Sequence, residues 1–292
     1  MELRGAITAL ATPFRNNELD EEAFRQHVEW QIEQGVSGLL PCGTTGESAT
    51  MSHQEHKDVI RICLEQTQGR VPVLAGTGSN NTREALELTA YAKEAGADAA
   101  LLITPYYNKP TQAGLLAHYK TIGSEVGLPM VVYNVPGRTG VNLLPETLAQ
   151  MKREVPEVVG VKEASGDINQ VSRVIEDCGE DFNVLAGEDF ITLPLLSLGG
   201  KGVISVVSNV APALMSELCS TYHSREINRA VECHYKLAPL CRAMFLETNP
   251  IPVKTALYYM GRMDLELRLP LVPMQEENNS RLQKVLQQCG LI

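Results

Sequence analysis

Hydrophobic residues along this chain fall into short, nearly continuous runs separated by polar stretches of helical spacing. The runs are GAITAL (5–10), GLLPC (38–42), PVLAG (72–76), AALLIT (99–104), PMVVYN (129–134), VVGVKE (158–163), NVLAG (183–187) and GVISVV (202–207). A run that is apolar at successive positions, not at every second one, suits a parallel strand covered on both faces. Segments 19–34, 53–68, 82–95, 111–126, 145–152, 168–177 and 190–198 read as amphipathic helices. Three have clear starts: Asp20 before EEAF, Ser52 with Glu55 three residues on, and Asn81-Thr82 before REAL. Gly35, Gly69, Gly96, Gly127 and Gly179 stand where helices should end. Eight strands alternating with helices predict an α/β fold, a (β/α)8 TIM barrel. An open doubly wound sheet is the alternative, but no GxGxxG follows the first strand. Beyond about residue 210 no strand candidate remains. The expectation is a catalytic barrel over 1–224 and a helical C-terminal extension over 225–292, packed on the barrel because no Gly- or Ser-rich linker separates them.

Length alone suggests two domains, but a barrel of roughly 250 residues is the usual exception, and the βα alternation resolves the 292 residues that way. Lysine and arginine total 25 and aspartate and glutamate 35, a formal charge of −10. An acidic chain with no basic run is a poor candidate for nucleic acid. No apolar stretch approaches the roughly 18 residues that span a bilayer, and the first residues have neither signal- nor transit-peptide character. The seven cysteines are scattered, odd in number and form no CxxC. Reduced thiols in a cytoplasmic protein are therefore expected, with no disulfide frame and no structural zinc.

Barrel active sites are built at the C-terminal ends of strands. Those positions hold GTTGES (43–48), Thr104-Pro105-Tyr106-Tyr107, Tyr133-Asn134 with VPGRTG, Lys162-Glu163, Gly187-Glu188-Asp189 and Ile204-Ser205. Most of the ten lysines lie on polar stretches, whereas Lys162 ends the run Val158-Val159-Gly160-Val161. An amine walled by apolar residues loses hydration of its charged form, so it titrates low and can attack a carbonyl to give a Schiff base. A rim lysine paired with Glu163 or Glu188 is the competing explanation. Tyr133 can relay a proton or simply pack. Thr44 and Thr45, in a glycine-rich turn, offer hydroxyl and amide donors to a carboxylate or phosphate. Arg138 can clamp a carboxylate or stand solvated. Together these suit an imine-forming enzyme acting on small anionic carbonyl compounds. A metal-dependent barrel hydrolase would want histidines at strand ends, where only Glu163, Glu188 and Asp189 stand.

The blocks GTTGES, TPYYNKPTQ, YNVPGRTG, VKEASGD, LAGED, GGKGVISV and NPIPVKTAL, in that order, resemble the dihydrodipicolinate synthase family over essentially the whole chain. The resemblance implies a barrel with a helical C-terminal domain, a homotetramer built from two tight dimers, and no metal or organic cofactor. It implies condensation of pyruvate with L-aspartate-4-semialdehyde to 4-hydroxy-tetrahydrodipicolinate, the first committed step of lysine and diaminopimelate biosynthesis. By the same likeness Lys162 forms the imine and Tyr133 relays protons. Thr44 links Tyr133 to Tyr107 of the neighbouring subunit. Thr44 and Thr45 hold the pyruvate carboxylate, Arg138 receives that of the semialdehyde, and Gly187 and Ile204 line the pyruvate pocket through their backbones. N-acetylneuraminate lyase and related pyruvate-dependent aldolases share the lysine and tyrosine, but their pattern lacks an arginine at the position of Arg138. A catalytically dead barrel that senses pyruvate-like ligands or lysine should have lost at least one of these residues.

His53 and His56 are three apart and Asn80 and Glu84 four apart. As metal ligands they lack a third partner, and alone they read as solvated helix residues. Lysine-inhibited members of the family carry these types at an allosteric pocket of the tight dimer. The matching set is Ser48, Ala49, His53, His56, Asn80, Glu84 and Tyr106, which implies feedback inhibition by L-lysine.

Overall fold

The computed structural model describes residues 1–292. Eight strands, β1 (Gly5–Ala9), β2 (Gly38–Leu40), β3 (Leu74–Gly76), β4 (Ala99–Ile103), β5 (Met130–Asn134), β6 (Val158–Glu163), β7 (Asn183–Ala186) and β8 (Gly202–Ser205), form one parallel sheet. Their order is β2-β1-β8-β7-β6-β5-β4-β3. A parallel bridge between Leu39 and Val73 brings the two ends of that series together, so the sheet is a nearly closed (β/α)8 TIM barrel. Each apolar run supplies a strand; seven strands are shorter than their runs, while 158–163 is strand throughout. The strand in 72–76 begins only at Leu74, after Pro72, which has no amide to donate. The strand in 202–207 ends at Ser205, where a 3-10 turn begins two residues later.

Around the sheet lie α1 (Glu21–Glu33), α2 (His53–Thr67), α3 (Thr82–Ala95), α4 (Gln112–Val126), α5 (Pro145–Glu154), α6 (Ile168–Cys178), α7 (Thr192–Ser197) and α8 (Pro212–His223). The expected starts hold. Asp20 accepts from the Ala23 amide, Ser52 and Glu55 form a reciprocal capping box, and Asn81 accepts from the Arg83 amide. The first helix starts at Glu21, not Leu19, because Leu19 belongs to a small antiparallel hairpin, Phe14–Arg15 with Glu18–Leu19, that has no apolar run to announce it. Gly96 and Gly127 close α3 and α4 in the left-handed region, but α2 ends on Gln68, itself left-handed, one residue before Gly69. The segment 190–198 is a 3-10 turn followed by the short α7.

Two cores result. Side chains facing into the barrel, among them Ile7, Leu40, Leu74, Leu101, Val131, Leu185 and Ile204, form a 13-residue inner cluster. Those facing the helices form a larger cluster of 60 buried residues. The C-terminal helices α9 (Ile227–Ala243), α10 (Ile251–Tyr259) and α11 (Glu276–Gln288) contribute Cys233, Leu237, Val253, Leu257, Leu282 and Leu286 to this outer cluster, so the extension is part of the same core. Residues 224/225, the expected division, fall in the turn between α8 and α9, and the outer cluster runs continuously across it. No helix is long and apolar enough to cross a membrane.

Candidate active site

Lys162 sits near the end of β6, side by side with Tyr133 of β5, and both point into the barrel mouth. Its ammonium lies 4.3 Å from the centre of the Tyr133 ring. Burial pushes its pKa from the usual 10.5 to about 8; the Asp189 carboxylate opposes the fall and Arg138 adds to it. Near-neutral solution therefore holds a usable share of free amine. The competing pairing with Glu163 does not occur, because that carboxylate is buried and turned the other way. It accepts from Asn134 Nδ2 at 3.1 and 3.3 Å, from Gln170 Nε2 at 3.1 Å and from the Ser165 amide at 2.7 Å. Glu188 stands half-buried on the cavity wall, its pKa raised by burial and then by the charges of Asp189 and Glu163. Burial also raises the Tyr133 hydroxyl to about 12, against the opposing pull of Arg138 and Thr44. Tyr133 is thus a protonated phenol at neutral pH, able to donate a proton and take it back.

A cavity of about 670 Å3 brings together Thr44, Thr45, Tyr133, Arg138, Lys162 and Gly187. Two basic side chains, Lys162 and Arg138, share its wall with the carboxylates of Glu188 and Glu247. Ile204 is not on the wall. It is fully buried in the inner core beneath, and Val206 takes the position at the surface of the cavity. Tyr107 is also absent from the wall. It sits 89% exposed in the loop after β4, with a left-handed backbone (φ +70°).

The loop that carries Thr44 and Thr45 is held from beneath. Cys42 and Glu47 both take positive φ, 58° and 55°, giving the tight turn its shape. The Glu47 carboxylate, fully buried, binds Lys254 Nζ of α10 at 2.5 Å and accepts from the Arg268 amide at 3.1 Å. Asn249, buried at the start of α10, donates from Nδ2 to Thr45 Oγ1 at 3.0 Å, while its carbonyl accepts from Arg138 Nη2 at 3.3 Å. One residue of the C-terminal extension thus ties Thr45 and Arg138, both on the cavity wall. Neither Asn249 nor Lys254 stands at a strand end, so the barrel rule did not reach them. Their only signal was membership in the block NPIPVKTAL. Asp189, buried and not itself on the cavity wall, accepts from Ser205 Oγ at 2.5 Å and from the amides of Val206 and Val207 at 3.1 Å each.

A second cavity of about 420 Å3 adjoins the first and shares Thr44, Tyr133, Arg138 and Asn249 with it. Its wall includes Ser48, Ala49, His53, His56, Glu84 and Tyr106. Asn80 is not on this wall; its Nδ2 donates to the Tyr106 carbonyl at 3.1 Å and so fixes the loop that carries the tyrosine. His56 is buried with Nε2 2.7 Å from the Gly76 carbonyl, and Ser79, which the sequence did not single out, donates to Glu84 at 2.7 Å. No group of three or more His, Cys, Asp or Glu side chains is placed to hold a metal ion.

Comparison with known proteins places these features in a family. The model of the dihydrodipicolinate synthetase family matches residues 2–289. The chain is 67% identical over its whole length, and that of its relative, to a 4-hydroxy-tetrahydrodipicolinate synthase of Nitratidesulfovibrio vulgaris (strain DSM 19637 / Miyazaki F). The chloride-inhibited dihydrodipicolinate synthase of Acinetobacter baumannii, solved in complex with pyruvate, superposes with a TM-score of 0.97 at 44% identity, covering 100% of both chains. The enzyme of Cyanidioschyzon merolae, solved with lysine bound, superposes with a TM-score of 0.96 at 36% identity over 99% of each. The chain belongs to the dihydrodipicolinate synthetase family and is, with that family, an enzyme of the lyase class.

Proposed function

We propose that this enzyme condenses pyruvate with L-aspartate-4-semialdehyde to 4-hydroxy-tetrahydrodipicolinate through an imine on Lys162. The observation that carries the reading is a buried lysine, its pKa lowered to about 8, in one cavity with a protonated tyrosine, two threonines and an arginine. The neutral amine adds to the ketone carbon of pyruvate, and the carbinolamine loses water with Tyr133 carrying the proton to the leaving hydroxyl. The protonated imine is then an electron sink. A methyl proton is lost, and the enamine carbon bonds to the aldehyde of the semialdehyde. The amino group of that substrate next attacks the imine carbon, closes the ring and displaces the Lys162 amine, which restores the enzyme. The chemistry calls for no metal or organic cofactor.

Thr44 and Thr45 offer donors to the pyruvate carboxylate, and Arg138 meets the carboxylate of the second substrate. Gly187 gives that pocket its backbone wall, with Ile204 packed beneath it. Tyr107, exposed in its loop, suits a tight dimer in which it completes the neighbour's relay through Thr44, two such dimers making a tetramer. The pyruvate-bound relative supports the first substrate. The lysine-bound relative supports L-lysine as an inhibitor in the second cavity, where Glu84 would meet an ammonium and Tyr106, held by Asn80, a carboxylate. The test is an assay with both substrates, coupled to reduction of the cyclic product. Product formation is expected. Turnover of N-acetylneuraminate, with none from the semialdehyde, would instead make the chain an aldolase of that other kind.

A further inference from the structure

Lys162 faces the barrel interior only because β6 is out of phase with itself. Successive residues of a strand point to opposite faces, so residues 158, 160 and 162 of a regular strand share one face. Val158 packs outward, in the cluster between sheet and helices. By strict alternation Lys162 would point there too, and Glu163 would point inward. Instead Val161 lies in the outer cluster with Val158, three residues away, and Val159 packs against the inner one. The pairing shows where the phase changes. Met130 of β5 is opposite Val158, but the next residue, Val131, is opposite Gly160. Val159 is the extra residue of a β-bulge, and bulges re-aim side chains in this way.

A bulge leaves a carbonyl that the ladder does not satisfy, and one buried side chain takes it. Asn183, at the start of β7 and 2% exposed, donates from Nδ2 to the Val159 carbonyl at 2.7 Å. The same nitrogen lies 3.2 Å from the Met1 carbonyl, and Oδ1 accepts from the Leu3 amide at 2.8 Å. Gly160 leaves room for this packing: a Cβ there would sit 2.6 Å from the Asn183 backbone oxygen and 2.8 Å from its Cβ. We infer that Asn183 is a positioning residue for the reaction at Lys162: by holding the Val159–Gly160 bulge on the barrel floor it sets the phase of β6 and aims the amine into the cavity. Asn183 touches no substrate. Its carboxamide acts through three peptide units, on a strand whose regular alternative would bury the amine among the helices. The inference rests on the imine chemistry proposed for Lys162.

Two variants separate the parts. Asn183→Asp keeps the shape and the acceptor for Leu3 but, ionised, presents an acceptor to the Val159 carbonyl. Asn183→Ala removes the donor without adding charge. For wild type and each variant, imine formation is followed by rapid-quench trapping with borohydride and pyruvate across pH 6 to 10, with folding checked by circular dichroism. In the folded variants the trapping rate at pH 8 is expected to fall at least tenfold, and its pH midpoint to move away from the wild-type value as the surroundings of the amine change. Folded variants that trap at the wild-type rate with an unmoved midpoint would overturn the inference. If both variants fail to fold, Gly160→Ala presses on the same contact and is read the same way. If wild type itself shows no adduct on Lys162, the imine chemistry fails and the role of Asn183 in it falls too, an outcome distinct from a wild type that traps and variants that trap equally well.

Discussion

Replacing Lys162 with methionine should abolish catalysis and stabilise the fold. Lys162 is 5% exposed, with burial as the main cause of a pKa that falls from 10.5 to about 8. At about 1.4 kcal/mol for each tenfold change in the protonation equilibrium, keeping that charge inside costs about 3 kcal/mol at pH 7. Methionine fills a similar volume without a charge. With an unfolding entropy of about 2 cal/mol/K per residue, 3 kcal/mol corresponds to roughly 5 °C in a chain of this length. The sign with pH is also fixed. Between 8 and 10.5 the unfolded lysine holds its proton while the folded one has lost it, so wild-type stability rises with pH through that window. The advantage of Lys162→Met should therefore be fully present below pH 8 and shrink toward pH 10.5. Thermal unfolding of both proteins at pH 7 and pH 10, at equal concentration, measures it. A variant no more stable than wild type at pH 7, or an advantage unchanged at pH 10, would refute the reasoning.

Lys254→Met strands the Glu47 carboxylate in the interior, which typically costs 3–5 kcal/mol, so a melting temperature lower by about 5–8 °C is expected, with part of it recovered by adding Glu47→Gln. Asn249→Leu removes the donor to Thr45; at about 1–1.5 kcal/mol for one hydrogen bond, kcat/KM for pyruvate should fall about tenfold while melting temperature changes little. Glu84→Ala should leave turnover near wild type and remove inhibition by millimolar L-lysine; inhibition that persists would place the inhibitor elsewhere.

The architecture was legible because burial on both faces writes a parallel strand as a continuous apolar run, and each run here marks a strand. Ends were less legible, since they depend on single features such as Pro72 or the Phe14–Leu19 hairpin. Lys162, Tyr133, Thr44, Thr45, Arg138 and Gly187, which meet on one cavity wall, could be grouped from the rule that barrel sites sit at strand ends. Burial alone would not have sufficed, because Lys254 is as deeply buried and serves as a counterion. What the sequence hid are contacts across long separations. Asn249 meets Thr45 across 204 positions and Asn183 meets the Leu3 amide across 180. The β6 bulge left no mark either, because a run apolar at every position looks the same in either phase.

The central claim is that Lys162 is the nucleophile. Incubation of the enzyme with pyruvate, reduction with borohydride and peptide mass spectrometry test it directly. One reduced pyruvate adduct per chain is expected, on the peptide containing Lys162. No adduct, or an adduct on another lysine, would contradict it.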